Sequence, residues 1–146
     1  MEIEILLVED SPGDVRLTLE AFQGSRLSLQ LYVAVDGVDA MAFLNHEGPE
    51  YANVPRPDLI LLDLNLPKMD GREVLSRVKG DADLKTIPVV VLTTSEDEAD
   101  ILKSYQLQAN CYLTKPVRLD AFESMVDSIS GFWLTKVKLP THQKWA

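Results

Sequence analysis

The chain has one cysteine, Cys111, and two histidines, His46 and His142, among its 146 residues. A lone cysteine excludes an internal disulfide, and no Cys/His pairing supports a zinc site. Basic side chains are scarce as well, 14 against 23 acidic, and the net charge of −9 repels phosphate backbones. Nucleic-acid binding is therefore not expected. Apolar runs such as Leu59 to Leu62 and Val89 to Leu92 stop far short of the roughly 18 residues that suggest a membrane span, so no membrane association is expected either. The opening Met1-Glu2-Ile3-Glu4 lacks the basic stretch and apolar region of a secretory signal, which makes the cytoplasm the expected location. A Gly-rich phosphate loop is also missing.

What is present is ordinary globular material, 46% hydrophobic and 25% charged. Its length suits one domain and a tail. Ile3 to Val8 is an apolar run that stops abruptly at Glu9-Asp10, as a buried parallel strand would on reaching a polar crevice. Ser11 offers an N-cap and Pro12 suits the first helical position, with Val15, Leu19 and Phe22 at helical spacing in a helix running to about Gln23. Leu27 to Val35 reads as a second strand, and Asp36 as the cap of a helix with Val38, Met41 and Leu44 on one side. Asn45 to Pro57, broken by Gly48, Pro49, Pro55 and Pro57, reads as an irregular surface excursion.

Leu59 to Leu62 forms the third strand, ending at Asp63, and Asp70-Gly71 opens a helix burying Val74, Leu75 and Val78. Val89 to Leu92 follows, ending in Thr93-Thr94, with Ser95 and Glu98 as the capping box of the next helix. Cys111 to Thr114 is a short fifth strand, followed by Lys115-Pro116 and a helix with Leu119, Phe122, Val126, Ile129 and Trp133 at spacings of three and four. Five strand–helix units predict an α/β fold, a doubly wound five-stranded parallel sheet covered on both faces.

In such a sheet, with strand order 2-1-3-4-5, the ligand crevice lies at the carboxyl ends of strands one and three. Those strands end in Glu9-Asp10 and Asp63, and strands four and five bring Thr93 and Lys115 to the rim. Three gathered carboxylates repel one another unless a cation joins them, and oxygen-only ligands favour Mg²⁺ or Mn²⁺. A cation beside a carboxylate, a lysine and a hydroxyl suits phosphoryl transfer. Asp63 would be the nucleophile, Glu9 and Asp10 would hold the metal, and Lys115 and Thr93 would meet phosphoryl oxygens.

Glu9-Asp10, the run Leu61 to Gly71 (LLDLNLPKMDG), Thr93-Thr94-Ser95 and Tyr112-Leu113-Thr114-Lys115-Pro116 resemble the signature of bacterial response-regulator receiver domains. The specificity lies in four separated motifs falling in order at successive strand ends. The resemblance implies a flavodoxin-like fold over 1–131 and phosphorylation of Asp63 by a partner histidine kinase. It also implies Mg²⁺ on Glu9, Asp10, Asp63 and the Asn65 backbone carbonyl, a switch made of Thr93 and Tyr112, and a cis Lys115-Pro116 bond. Asp70 is read as a helix start outside the site, and Cys111 as a small buried hydrophobe.

The segment 132–146 is an apolar and aromatic extension. A last helix continued through Gly131 would put Val126, Ile129, Trp133 and Val137 on one stripe, and an exposed stripe calls for a second copy of the chain. With Arg56 to Pro67, this extension is similar to the small regulators of cyanobacterial and bacterial phytochromes, which implies a phytochrome-type kinase and a homodimer. Helix four, strand five and the extension are the expected responsive surface. Thr141 to Ala146 have no functional reading. Two other functions compete. A Mg²⁺-dependent phosphatase generally needs an acid/base carboxylate two residues past its nucleophile, where this chain has Asn65. A constitutive dimerisation module would have no use for an intact acidic site.

Overall fold

The computed structural model describes residues 2–24, 27–116 and 118–140, and of Leu119 the backbone alone. The order is β1 (Ile3–Val8), α1 (Pro12–Gln23), β2 (Leu29–Ala34), α2 (Gly37–Leu44), α3 (Gly48–Tyr51), β3 (Leu59–Leu62), α4 (Gly71–Gly80), a 3₁₀ turn (Leu84–Thr86), β4 (Val89–Thr93), α5 (Glu98–Gln106), β5 (Cys111–Thr114) and α6 (Leu119–Phe132). The strands are parallel and stand in the order β2-β1-β3-β4-β5. This is the expected doubly wound sheet, and strand order reverses between β1 and β3.

Alternation along the strands divides the core. Leu6, Val8, Ile60 and Leu62 face α2 and α4, while Ile5, Leu7, Leu59 and Leu61 face α1 and α6. All four residues of β3 are buried because helices cover both faces, the continuous apolar pattern of a central parallel strand. At the edge, no residue of β5 is fully buried.

Several local expectations change. Strand β2 is shorter than Leu27 to Val35. Val38 is exposed, and α2 instead buries Ala40, Met41, Phe43 and Leu44. The excursion before β3 contains the single-turn helix α3, since Pro49 suits a first helical turn, and Tyr51 and Val54 pack on the core. The Ser95/Glu98 capping box does not form: Asp97 caps α5 by accepting from the Ala99 N–H at 2.9 Å, a shorter route to the same unpaired donors. Helix α6 tolerates Gly131 but ends at Phe132, so Val137 lies beyond it, with its N–H bonded to the Phe132 carbonyl at 3.0 Å. Val126, Ile129 and Leu134 are buried in the chain's own core, with Trp133 packed against it, while Phe132 is 54% exposed. Thr141 to Ala146 and the Leu119 side chain lie outside the described residues.

Candidate functional site

Four strand ends build the site, those of β1, β3, β4 and β5. The Asp63 N–H donates to the Val8 carbonyl at 3.0 Å, continuing the β1–β3 ladder one residue past the strand and fixing Asp63 beside Glu9. On the other side, the Lys115 N–H donates to the Thr93 carbonyl at 2.7 Å, tying the end of β5 to that of β4. Glu9, Asp10 and Asp63 consequently each offer a carboxylate oxygen within 4.8 Å of the others, with Glu9 and Asp63 buried and Asp10 exposed. The expected triad is assembled.

Lys115 reaches into it. Its Nζ donates to Asp63 Oδ2 at 3.0 Å, to Asp14 Oδ2 at 3.0 Å and to Glu9 Oε2. Burial opposes the ammonium's charge, but the hydrogen bonds to Glu9 and Asp14 and the charges of Asp63 and Glu9 outweigh it and raise its pKa. For Glu9 the balance is opposite. Burial pushes its carboxyl up to about 7, against the Lys115 bond and the Ser11 N–H, which donates to Oε1 at 3.0 Å. One ammonium shared among three carboxylates is held tightly, while each carboxylate receives only a share of its charge.

Asp14 was not singled out from the sequence. Helical numbering carries the signal in retrospect: with Ser11 as N-cap, Asp14 falls in the first turn, where acidic residues are ordinary, and only the position of Lys115 gives it a role.

The loop after Asp63 is clamped at both ends. The Gly71 N–H donates to the Leu64 carbonyl at 2.9 Å, and a Cβ on Gly71 would lie 2.2 Å from the Asp63 carbonyl oxygen. A Cβ on Gly37 would lie 2.1 Å from the Met69 carbonyl oxygen, so the loop also sits hard against the start of α2. Asn65 is exposed on this loop, and its N–H donates to Asp63 Oδ1 at 3.2 Å. Asp70 caps α4, accepting from the Arg72 N–H at 2.8 Å, and stays outside the triad.

At the β4–β5 side, Thr93 is 0% exposed and its hydroxyl has no partner among the described residues. An orphaned buried hydroxyl at this strand end is a donor available to an anionic oxygen. The Tyr112 hydroxyl donates to the Ser95 carbonyl at 3.0 Å, and burial raises its pKa. Ser95 Oγ donates to Asp100 at 2.7 Å, and Asp100 accepts from Arg72 of α4 at 2.6 Å. Cys111 is half-buried rather than fully buried, because β5 is an edge strand. Lys115-Pro116 is trans, where the resemblance implied cis, since no cis bond occurs among the described residues. A cleft of about 320 Å³, lined in part by Asp14, Thr94, Lys115 and Arg118, opens beside the lysine.

The donor set fits a hard divalent cation: carboxylate oxygens gathered at one crevice, with a lysine already supplying positive charge to two of them. Comparison with known proteins agrees with this geometry. The sequence profile of the response regulator receiver domain matches residues 5–127. Response regulator Rcp1 of Synechocystis sp. is 57% identical over 136 residues, spanning 93% of this chain and 92% of its own. The crystal structure of the Mn²⁺-bound form of Rcp1 covers 95% of this chain and 99% of that one, with a TM-score of 0.91 and 55% identity. The phosphorylated cyanobacterial phytochrome response regulator RcpA covers 97% and 100%, with a TM-score of 0.93 and 52% identity.

Proposed function

The chain belongs to the response regulator receiver domain family, and from that premise we propose that Asp63 accepts a phosphoryl group from a histidine kinase of the phytochrome type. The observation that carries this reading is the triad of Glu9, Asp10 and Asp63 with Lys115 bonded into it. A carboxylate oxygen of Asp63 attacks phosphorus, an O–P bond forms as the P–N bond of the kinase phosphohistidine breaks, and the electron pair leaves on the imidazole nitrogen. Mg²⁺, or Mn²⁺ in its place, would be held by Glu9, Asp10, Asp63 and the Asn65 carbonyl, and supplies neutralisation of charge on the phosphoryl oxygens. Lys115 offsets charge on one such oxygen, and the unpartnered Thr93 hydroxyl donates to another.

The chain is a signalling protein whose chemistry, in this reading, is confined to gaining and losing its own phosphoryl group. Thr93 and Tyr112 form the switch, through the Tyr112 bond to the Ser95 carbonyl. Phosphorylation acts only to the extent that it favours one arrangement of these groups over another. The receiver unit spans 1–131, and the segment 132–146 serves dimerisation. An apolar groove of about 320 Å³ formed by Cys111, Leu113, Met125, Ile129 and Trp133 lies beside exposed Phe132, and a second copy would cover it. Sedimentation as a monomer at every concentration would remove that part of the reading. The acidic balance leaves no role for nucleic acid. No helix among the described residues is long and apolar enough to cross a membrane, in keeping with action in the cytoplasm.

The deciding experiment is intact mass after incubation with acetyl phosphate, with and without Mg²⁺. The expected result is a Mg²⁺-dependent, hydroxylamine-sensitive phosphoryl adduct that is absent from Asp63→Asn. Bound Mg²⁺ with no adduct would favour a constitutive dimerisation module, and multiple turnover of small phosphate esters would favour a phosphatase.

A further inference from the structure

Lys115 has three N–H donors and three carboxylate partners, so its hydrogen-bonding capacity is filled. Two partners, Glu9 and Asp63, are also members of the triad that would take a cation. A cation drawing on those oxygens competes with the ammonium for them, and a buried lysine left without acceptors is costly. Asp14 is different. It lies outside the triad, its side chain is 33% exposed, and it projects from a helix rather than a strand end. Its backbone is pinned from both directions: its N–H donates to Ser11 Oγ at 3.3 Å, and its carbonyl accepts from Thr18 Oγ1 at 2.7 Å.

We propose that Asp14 is a positioning residue for Lys115, keeping hold of the ammonium while Glu9 and Asp63 turn to a divalent cation. The lysine is thereby kept within reach of a phosphoryl group on Asp63 without blocking the cation. This role rests on the function proposed for the same site. It is distinct from the plain attraction of a fourth negative charge, because positioning acts only through Lys115, whereas plain attraction acts without it.

The test is a double-mutant cycle in the full chain, with Mg²⁺ affinity read from amide NMR shifts in wild type, Asp14→Asn, Lys115→Met and the double variant. Asp14→Asn is expected to weaken Mg²⁺ binding about tenfold, the low end of what outer-shell partners contribute. In the Lys115→Met background the same change is expected to alter affinity less than about twofold, because the interaction it removes is already gone. Equal losses in both backgrounds would overturn the role in favour of plain attraction, and no loss in either would overturn it outright. If Lys115→Met does not fold, the Lys115 ammonium protons decide. They should stay protected on Mg²⁺ addition in wild type and exchange freely in Asp14→Asn, and equal protection in both would overturn the role. A wild type that binds no Mg²⁺ would overturn the metal-dependent reading together with this inference, whereas normal Mg²⁺ binding with no effect at Asp14 removes the inference alone.

Discussion

Strands β3 and β5 each lead directly into a residue of the site, Asp63 and Lys115, yet their surroundings are opposite. All of β3 is buried, whereas β5 is half-buried along its whole length. Asp63 follows the first, held by the Val8 carbonyl, by Gly71 packed against its own carbonyl, and by donors on both carboxylate oxygens. Tyr112 belongs to the second, tied by one hydroxyl bond to a loop that a chain of polar contacts through Ser95 and Asp100 connects to α4. Chemistry that needs fixed geometry is placed where packing over-determines it, and Tyr112 of the proposed switch stands on the half-buried edge strand, where fewer contacts oppose a rearrangement.

The sharpest way to break this contrast is to disturb the buried side at Gly71. All three atoms nearest a Cβ there are backbone atoms of Asp63 and Leu64, so no side chain can swing aside. Gly71→Ala is expected to destabilise the fold by about 3 kcal/mol, the upper part of the usual overpacking range, with a matching drop in urea midpoint. Gly131→Ala is the control. Nothing lies within 4 Å of a Cβ at that helical position, and a gain of up to about 1 kcal/mol is expected. A Gly71 variant as stable as wild type would mean that the Asp63 loop is not clamped.

Acid titration separates the same two regions. In the metal-free protein, burial pushes the Glu9 carboxyl up to about 7 from an ordinary value of 4.5. At the edge, bonds from Arg72 and Ser95 hold the Asp100 carboxyl below its ordinary value. Between about pH 4.5 and 7 folded Glu9 keeps a proton that the unfolded chain has lost, so its contribution to stability declines as pH rises through that window. One proton sets a limit of about 1.4 kcal/mol per pH unit on that slope. Asp100 has the opposite sign, with a contribution present above its unfolded value and lost as pH falls through its lowered folded one. Chemical denaturation at several pH values, repeated on Glu9→Gln, checks this: the variant should lose the decline across the window. An unchanged slope would show that the buried site does not supply it.

Much of this division was legible in the sequence. β1, β3 and β5 have the expected bounds, because apolar runs stopped by Glu9-Asp10, Asp63 and Lys115-Pro116 mark both a buried strand and its exit into the crevice. These exits, with the end of the fourth apolar run at Thr93, identified Glu9, Asp10, Asp63, Thr93 and Lys115 as groups brought to one end of the sheet. Asp14 escaped because its partner is 101 residues away and its local pattern is that of any helix start. Val38 shows a different limit: helical spacing marks an apolar face but not where the neighbouring element ends, so Val38 is left exposed. The Ser95/Glu98 box failed for a similar reason. Ser95 is engaged by Asp100 and by the Asp97 N–H at 3.3 Å, tertiary and turn contacts that a local capping rule does not include.

The smallest expected effect distinguishes stability from function at one atom. The Thr93 hydroxyl is buried without a partner among the described residues, and a buried hydroxyl left unpaired costs free energy in the resting state. Valine has nearly the same shape and lacks the hydroxyl, so Thr93→Val should raise stability by about 1 kcal/mol, visible as a higher urea midpoint at an unchanged slope. Phosphorylation of Asp63 should still occur, because the carboxylates and Lys115 are untouched. What should be lost is the response: the fluorescence or NMR signal of Tyr112 should no longer differ between the phosphorylated and free forms. A variant that is less stable than wild type would show that the hydroxyl already has a partner, such as a bound water, and that its orphaned state is not held in reserve for the phosphoryl group. A more stable variant that still switches would place the coupling elsewhere, on the Ser95–Asp100–Arg72 chain, and would make the edge of the sheet rather than the strand end the seat of the response.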